Sequence, residues 1–182
     1  EIEKHLLEKK IDIAVHSLKD LPSTLPEGLL YVGSPQREDI RDVFVSSKWD
    51  TVDDVPSGGI IATGSIRRKA QLLHYRSDVN VVGLRGNVDT RLKKLEESNW
   101  DGIIIAAAAL HRLELKDKIS QYLDVNVFTP SGGQGALGIE IRKDNIKLED
   151  MIRDIIHFEA GQPTAKLPNS AFNKALKLIK KN

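Results

Sequence analysis

The strongest constraint in this chain is an alternation. Ile60-Ile61-Ala62, Asn80–Leu84 and Asp101–Ala107 are short apolar runs, and two helix-length segments, Ile66–Tyr75 and Val88–Ser98, stand between them. The first two runs pass through polar loops, Thr63-Gly64-Ser65 and Arg85-Gly86-Asn87, into those segments. Ile66, Ala70 and Leu73 share one face of the first helix, and Val88, Leu92 and Leu95 share one face of the second; both faces are expected to turn inward. The middle of 101–107 is apolar throughout, as in strands covered on both sides. Such an order predicts an α/β fold with mixed, mainly parallel sheets.

Around this block the pattern is looser. Residues 1–10 read as the end of a helix, Ile11–Val15 as a strand, and His16–Pro22 as a loop at that strand's C-terminal end. Leu29–Gly33 and Asp42–Ser46 read as strands, and Thr51–Val55 as a short helix stopped by Pro56. A glycine-rich turn at Ser131–Gly135 precedes a strand at Ala136–Arg142 and a helix at Leu148–Phe158. A last helix is expected at Ala171–Lys181. Arg37–Arg41 and the stretch around Phe128–Gly133 are the expected crossings between domains.

Composition removes whole classes of function. With 40% hydrophobic and 29% charged residues the chain can bury a core. Its net charge of +1 is not that of a histone-like or acidic-tail protein. It has no cysteine, which excludes disulfides, thiolate metal sites and cysteine nucleophiles within this chain. The longest apolar run, Ile103–Leu110, is far short of the roughly 20 residues a spanning helix needs. No signal-peptide pattern is visible, so a soluble, reducing compartment is expected. The start inside a helical pattern reads as a piece of a longer protein.

The charge is unevenly placed. Between Thr63 and Lys94 stand Arg67, Arg68, Lys69, Arg76, Arg85, Arg91, Lys93 and Lys94, opposed only by Asp78 and Asp89. Arg67 and Arg68 fall in the first turn of a helix, Arg85 at the end of a strand, and Arg91 one turn into the next helix. In open α/β sheets, ligands bind beyond the C-terminal strand ends, where helix N-termini offer free N–H groups. Arginine adds a planar fork that matches a carboxylate or phosphate. A first-turn arginine opposes the helix dipole, so it needs another reason to be there. The expectation is a site for a polyanionic small molecule. Lys69, Lys93 and Lys94 read instead as a solvated face. A nucleic-acid surface is disfavoured, because only 5% of residues are aromatic and stacking residues do not interleave regularly with the basic ones.

His16-Ser17-Leu18-Lys19-Asp20 is a second constellation. A carboxylate beside a cation suits acid–base work or stabilisation of a developing positive charge; the plain alternative is a turn capped by Asp20. His16 alone reads as a hydrogen-bonded structural histidine. No His and carboxylate set stands at metal-ligand spacing. Gly132-Gly133-Gln134-Gly135 lacks both Rossmann and Walker spacing and suits a tight chain crossing or a binding loop. Trp49 and Trp100 read as packing residues.

Taken together, five segments resemble the porphobilinogen deaminase (hydroxymethylbilane synthase) family. They are Asp12–Pro22, Arg37–Asp42, Thr63–Arg68, Leu84–Leu92 and Gly133–Glu140, in family order from about Glu1 to His157. The resemblance implies a cytoplasmic, monomeric transferase of tetrapyrrole biosynthesis (plastid if a transit peptide precedes residue 1). It would condense four porphobilinogen molecules head to tail with release of ammonia, without nucleic-acid or membrane partners. The product would be built on a dipyrromethane cofactor held through a cysteine thioether. The acetate and propionate groups of these pyrroles are the anions the arginines suit.

By the same resemblance, Asp20 is the catalytic residue. Ser17, Lys19, Thr63, Ser65, Arg67, Arg68 and Arg85 would hold the cofactor, and Arg91, Arg112 and Gln134 the substrate. The implied architecture is bilobal and similar to periplasmic binding proteins, with a small C-terminal α+β domain beginning. Residues 1–37 and 131–156 would form an incomplete first domain, 42–128 the second, and 157–182 the start of the third. Gly64 stands where the family has serine. Lys180 lies near where the cofactor cysteine is expected, so the chain reads as truncated or divergent and unable to form the thioether. A non-catalytic anion-binding module of the same fold is the alternative.

Overall fold

The computed structural model describes residues 1–159 of the 182-residue chain. The expected helix at Ala171–Lys181 and most of the expected third domain lie outside the described residues. The chain forms two compact units, Glu1–Arg37 with the described residues from Ala136 onward, and Glu38–Gly135.

In the first unit, helix α1 (Ile2–Leu7) precedes strand β1 (Ile13–Ser17) and a single 3-10 turn at Leu18–Asp20. Strands β2 (Leu29–Gly33) and β8 (Leu137–Arg142) and helix α5 (Ile146–Glu159) complete it. The sheet order is β1-β8-β2, antiparallel throughout. One sheet face carries Val32, Ile139 and Ile141 against Ile152 of α5. The other carries Ala14 and Leu29 against Leu6 of α1. This alternation is the period-2 pattern of a sheet covered on both sides.

The second unit contains β3 (Asp42–Val45), β4 (Ile60–Ala62), α2 (Ile66–Tyr75), β5 (Asn80–Val82), α3 (Val88–Glu97), β6 (Gly102–Ala106), α4 (Ala107–Arg112) and β7 (Gln121–Tyr122). The sheet order is β5-β4-β6-β3-β7. Strand β4 pairs parallel with β5 and β6, while β3 runs antiparallel to β6 and β7. All of β6 is buried, as its unbroken apolar run requires. Trp49 and Trp100 pack against the cores on the two faces of this sheet.

The α/β class and mixed sheets are as expected, but the balance of pairings is corrected. Among the described residues two strand pairs are parallel and four antiparallel. The β4-α2-β5 link joins parallel neighbours through a helix, and the β5-α3-β6 link carries the chain past β4 to its other side.

Three local expectations also change. Helix α2 does not turn Ile66, Ala70 and Leu73 inward: Ile66 is 87% exposed, and the buried positions are Arg68 and Leu72. Arg68 has a buried acidic partner, and that pairing sets the rotation of the helix. Residues 51–55 form turns, not a helix. The Asp54 carboxylate accepts the Thr51 N–H and hydroxyl, a local closure that competes with helical hydrogen bonds. Strand β1 reaches Ser17, because pairing with β8 continues to Ser17↔Leu137. His16 and Ser17 are thus strand residues, not loop residues.

Candidate functional site

In the second unit the site begins where β4 ends. Thr63 is buried; its Oγ1 donates to the Ile104 carbonyl (3.2 Å) and accepts the Ser65 N–H (3.3 Å). The Thr63 N–H donates to the Val82 carbonyl at 3.0 Å, so the loop is tied to both neighbouring strands. A Cβ on Gly64 would stand 2.2 Å from the Leu84 carbonyl oxygen, so any side chain there would have to displace that backbone. Ser65 then caps α2, its hydroxyl accepting the Arg68 N–H at 3.4 Å.

The first turn of α2 delivers Arg67 and Arg68 to Asp42, the fully buried first residue of β3. Arg68 Nε donates to Asp42 Oδ1 at 2.9 Å, and a terminal nitrogen lies 2.8 Å from the same oxygen. Gln134 Nε2 donates to Asp42 Oδ1 (2.9 Å) and to the Ile40 carbonyl (2.6 Å), and its Oε1 accepts from Arg68 (3.2 Å). Arg67 approaches Asp42 Oδ2 to 2.8 Å in an ion pair without hydrogen-bond alignment, which leaves that buried oxygen without a hydrogen bond. Arg67 also donates to Gln71 Oε1 (2.9 Å) and the Thr129 carbonyl (2.5 Å), with a quarter of its side chain exposed. Burial pulls the Arg68 guanidinium below its usual range, Asp42 opposes this, and the charges of Arg67 and Arg91 push the same way as burial. Three arginines therefore share one electrostatic neighbourhood.

The next strand end repeats the device. Gly86 has φ +123°, and a Cβ there would meet Thr90 Cγ2 at 2.7 Å. Asn87 caps α3 by accepting the Thr90 N–H at 2.9 Å. Arg91 Nε donates to the Gly86 carbonyl at 2.7 Å. Arg85 is exposed, and its guanidinium has no partner among the described residues. Arg112, at the end of α4, donates to the Gly135 carbonyl at 2.6 Å; burial lowers its pKa and Glu38 opposes this.

In the first unit, Ser17 closes β1, and Lys19 and Asp20 are exposed on the 3-10 turn. The turn is anchored by the Leu18 N–H donating to the Ala136 carbonyl at 3.0 Å. Asp20 makes no hydrogen bond or ion pair among the described residues. His16 Nε2 stands 2.9 Å from Oε2 of Glu140, which is fully buried on β8. Burial pushes the Glu140 carboxyl up, against the lowering effect of the His16 hydrogen bond.

Of the residues singled out from sequence, Arg67, Arg68 and Gln134 converge on one carboxylate. Thr63 and Ser65 build the loop that presents the two arginines. Arg85, Arg91 and Arg112 occupy separate positions of the same unit, and Ser17, Lys19 and Asp20 belong to the other unit. Sequence reasoning missed Asp42, Glu140 and the Glu38–His111–Tyr122 chain, in which His111 bridges Glu38 Oε1 (3.1 Å) and the Tyr122 hydroxyl (2.8 Å). One signal was available: Asp42 and Glu140 are carboxylates inside strands, where an acid needs a partner. Among the described residues no group of acids and histidines is placed to hold a metal ion. No described helix is long and apolar enough to cross a membrane.

A family model described as "Porphobilinogen deaminase, dipyromethane cofactor binding domain" matches residues 1–150. The chain belongs to the porphobilinogen deaminase family. The porphobilinogen deaminase of Francisella tularensis subsp. novicida (strain U112) is 48% identical over 178 residues, 97% of this chain and 58% of that protein. That of Francisella tularensis subsp. tularensis (strain SCHU S4 / Schu 4) is 47% identical over the same shares. The chain thus spans under two thirds of the length of these relatives. Among solved structures, the methionine binding protein MetQ matches with TM-score 0.54 at 14% identity, over 83% of this chain and 73% of that one. A periplasmic substrate-binding protein of an ABC transporter from Coxiella burnetii matches with TM-score 0.54 at 12% identity, over 82% and 73%. These likenesses show the fold type of periplasmic binding proteins.

The donor set suits a dipyrromethane, whose side chains are carboxylates. The Arg85 fork has no partner among the described residues, Arg67 is partly exposed, and α2 opens on a hydroxyl-capped first turn. The covalent anchor is another matter, because the chain contains no thiol.

Proposed function

We propose that this chain is the cofactor- and substrate-carboxylate-binding part of a hydroxymethylbilane synthase, which joins four porphobilinogen molecules head to tail and releases ammonia. The observation that carries this reading is the placement of Arg67 and Arg68 on the capped first turn of α2, with Arg91 in the same field and Arg85 exposed beyond the next strand end without a partner among the described residues. Asp42 answers Arg67 and Arg68 with one carboxylate, so the cations here outnumber the acid that faces them, which suits a substrate whose every ring bears two carboxylates.

In this reading Arg67, Arg85 and Arg91 bind and orient acetate and propionate groups. Arg68 and Gln134 keep the loop and helix in place through Asp42. Thr63 and Ser65 position the helix N-terminus. Asp20, exposed on its turn and without a hydrogen bond or ion pair among the described residues, stabilises positive charge on pyrrole nitrogen as the amine departs. A bound dipyrromethane supplies the pyrrole carbon to which the first porphobilinogen is joined.

The test is porphobilinogen turnover by the full-length gene product, with its intact mass measured in parallel. Hydroxymethylbilane formation and the added mass of a dipyrromethane are expected. A folded product that neither turns over porphobilinogen nor carries that mass would refute the reading.

A further inference from the structure

We propose that His16 and Glu140 form a proton-relay pair serving the turn that carries Asp20; this rests on the hydroxymethylbilane synthase reading. Glu140 is fully buried in β8, and its Oε1 has no hydrogen-bond partner among the described residues. Its Oε2 lies 2.9 Å from His16 Nε2, across the β1–β8 ladder. The imidazole is therefore held by one nitrogen, while Nδ1 has no partner among the described residues and the side chain is 17% exposed. A histidine oriented through one nitrogen by a carboxylate, with the other open, is the arrangement of a proton carrier.

The sheet places this pair beside the Asp20 turn. Gly138 stands opposite His16 in register. A Cβ on Gly138 would lie 3.2 Å from Leu18 Cδ1 and 3.5 Å from Leu21 Cδ2, so the residues flanking Lys19 and Asp20 fold over that glycine. Two residues further along β8, on the same sheet face, Glu140 holds the imidazole. The charged and titratable neighbours are few. Glu3 of α1 raises the Glu140 carboxyl further, Tyr31 of β2 stands opposite Glu140, and Arg142 is committed to the Leu6 and Ile11 carbonyls and to Asp12. Glu140 starts as the carboxylate that His16 Nε2–H faces, and burial, which disfavours that charged form, makes it a stronger acceptor for the ring proton.

The reaction needs such a carrier. Joining two porphobilinogen units breaks a C–N bond and a pyrrole C–H bond and forms a C–C bond. The C–H electron pair returns to the ring, and the proton ends on the departing nitrogen as ammonium. Nδ1 of His16 accepts that proton while Nε2 passes its own to Glu140 Oε2; the reverse movement returns a proton to the ammonia.

The experiment compares full-length wild type, H16Q, E140Q and the double variant, each checked for thermal midpoint and for cofactor by intact mass. Glutamine at position 16 keeps an N–H for Glu140 but carries no exchangeable ring proton, so it rescues a merely structural role. H16Q is expected to lower kcat about 100-fold, at the lower end of proton-transfer effects, with KM changed less than twofold. The double variant is expected to be no worse than H16Q. The ¹⁵N resonances of the His16 ring are expected to shift in E140Q. An H16Q protein with wild-type kcat, effects that multiply in the double variant, or unmoved ring resonances would overturn the relay. If E140Q does not fold, H16Q alone decides. Wild type without turnover would overturn the functional reading and the relay with it, whereas active wild type beside active H16Q overturns the relay only.

Discussion

Replacing Asp42 by alanine tests the energetic reading of the arginine site most directly. Asp42 is fully buried, and Arg68 is 5% exposed. Removing the carboxylate strands a guanidinium whose Nε and terminal nitrogen both lie within 2.9 Å of Asp42 Oδ1. It also takes the acceptor from Gln134 Nε2 and the counter-charge from Arg67. Breaking one side of a buried ion pair costs about 3–5 kcal/mol. For a protein of this size each kcal/mol lowers the midpoint by about 2–4 °C, so D42A is expected to unfold about 6–20 °C early. The assay is thermal unfolding followed by far-ultraviolet circular dichroism, with urea unfolding as a check. The double variant D42L/R68M, which leaves no orphaned charge, is expected to recover much of the loss. A midpoint for D42A within about 2 °C of wild type, or a double variant less stable than D42A, would refute the view that Asp42 compensates a buried cation.

Other outcomes separate structural from ligand-facing groups. R85A is expected to keep the wild-type midpoint and to weaken retention of the dipyrromethane in the full-length protein, read by intact mass; a drop in midpoint with full retention would contradict the assignment. G64S is expected to destabilise by about 1–3 kcal/mol in urea unfolding, as overpacking does, because its Cβ would start 2.2 Å from the Leu84 carbonyl. The Asp78 carboxyl, held by the Arg76 guanidinium, is lowered from 3.8 to about 2. A carboxyl depressed on folding stabilises above its unfolded pKa, so this contribution is present above about pH 4 and lost as pH falls toward 2. In R76Q the Asp78 carbon resonance is expected to titrate near 3.8, and an unmoved midpoint would exclude Arg76 as the cause.

What the chain determined by itself is what depends on near neighbours. The β4-α2-β5-α3-β6 order, the caps at Ser65 and Asn87, and the glycine at position 86 follow from residues within one turn or one loop of each other. The motif blocks are equally local, which is why the family resemblance and the list of arginines were legible. The rotation of α2 was not. Its apolar positions suggested one face, but the ion pair of Arg68 with Asp42, 26 residues away in sequence, turned another face inward. Gln134 joins that carboxylate from 92 residues away, and His16 meets Glu140 across 124. Periodicity describes how a segment presents its own side chains. Only the sheet order decides which distant carboxylate fills the buried space beside an arginine or a histidine. Tertiary structure thus decided which of these arginines are committed to partners inside the protein and which are exposed without one among the described residues. A buried charge must be matched by whatever the fold brings next to it, whereas an exposed one can stay unpaired in water.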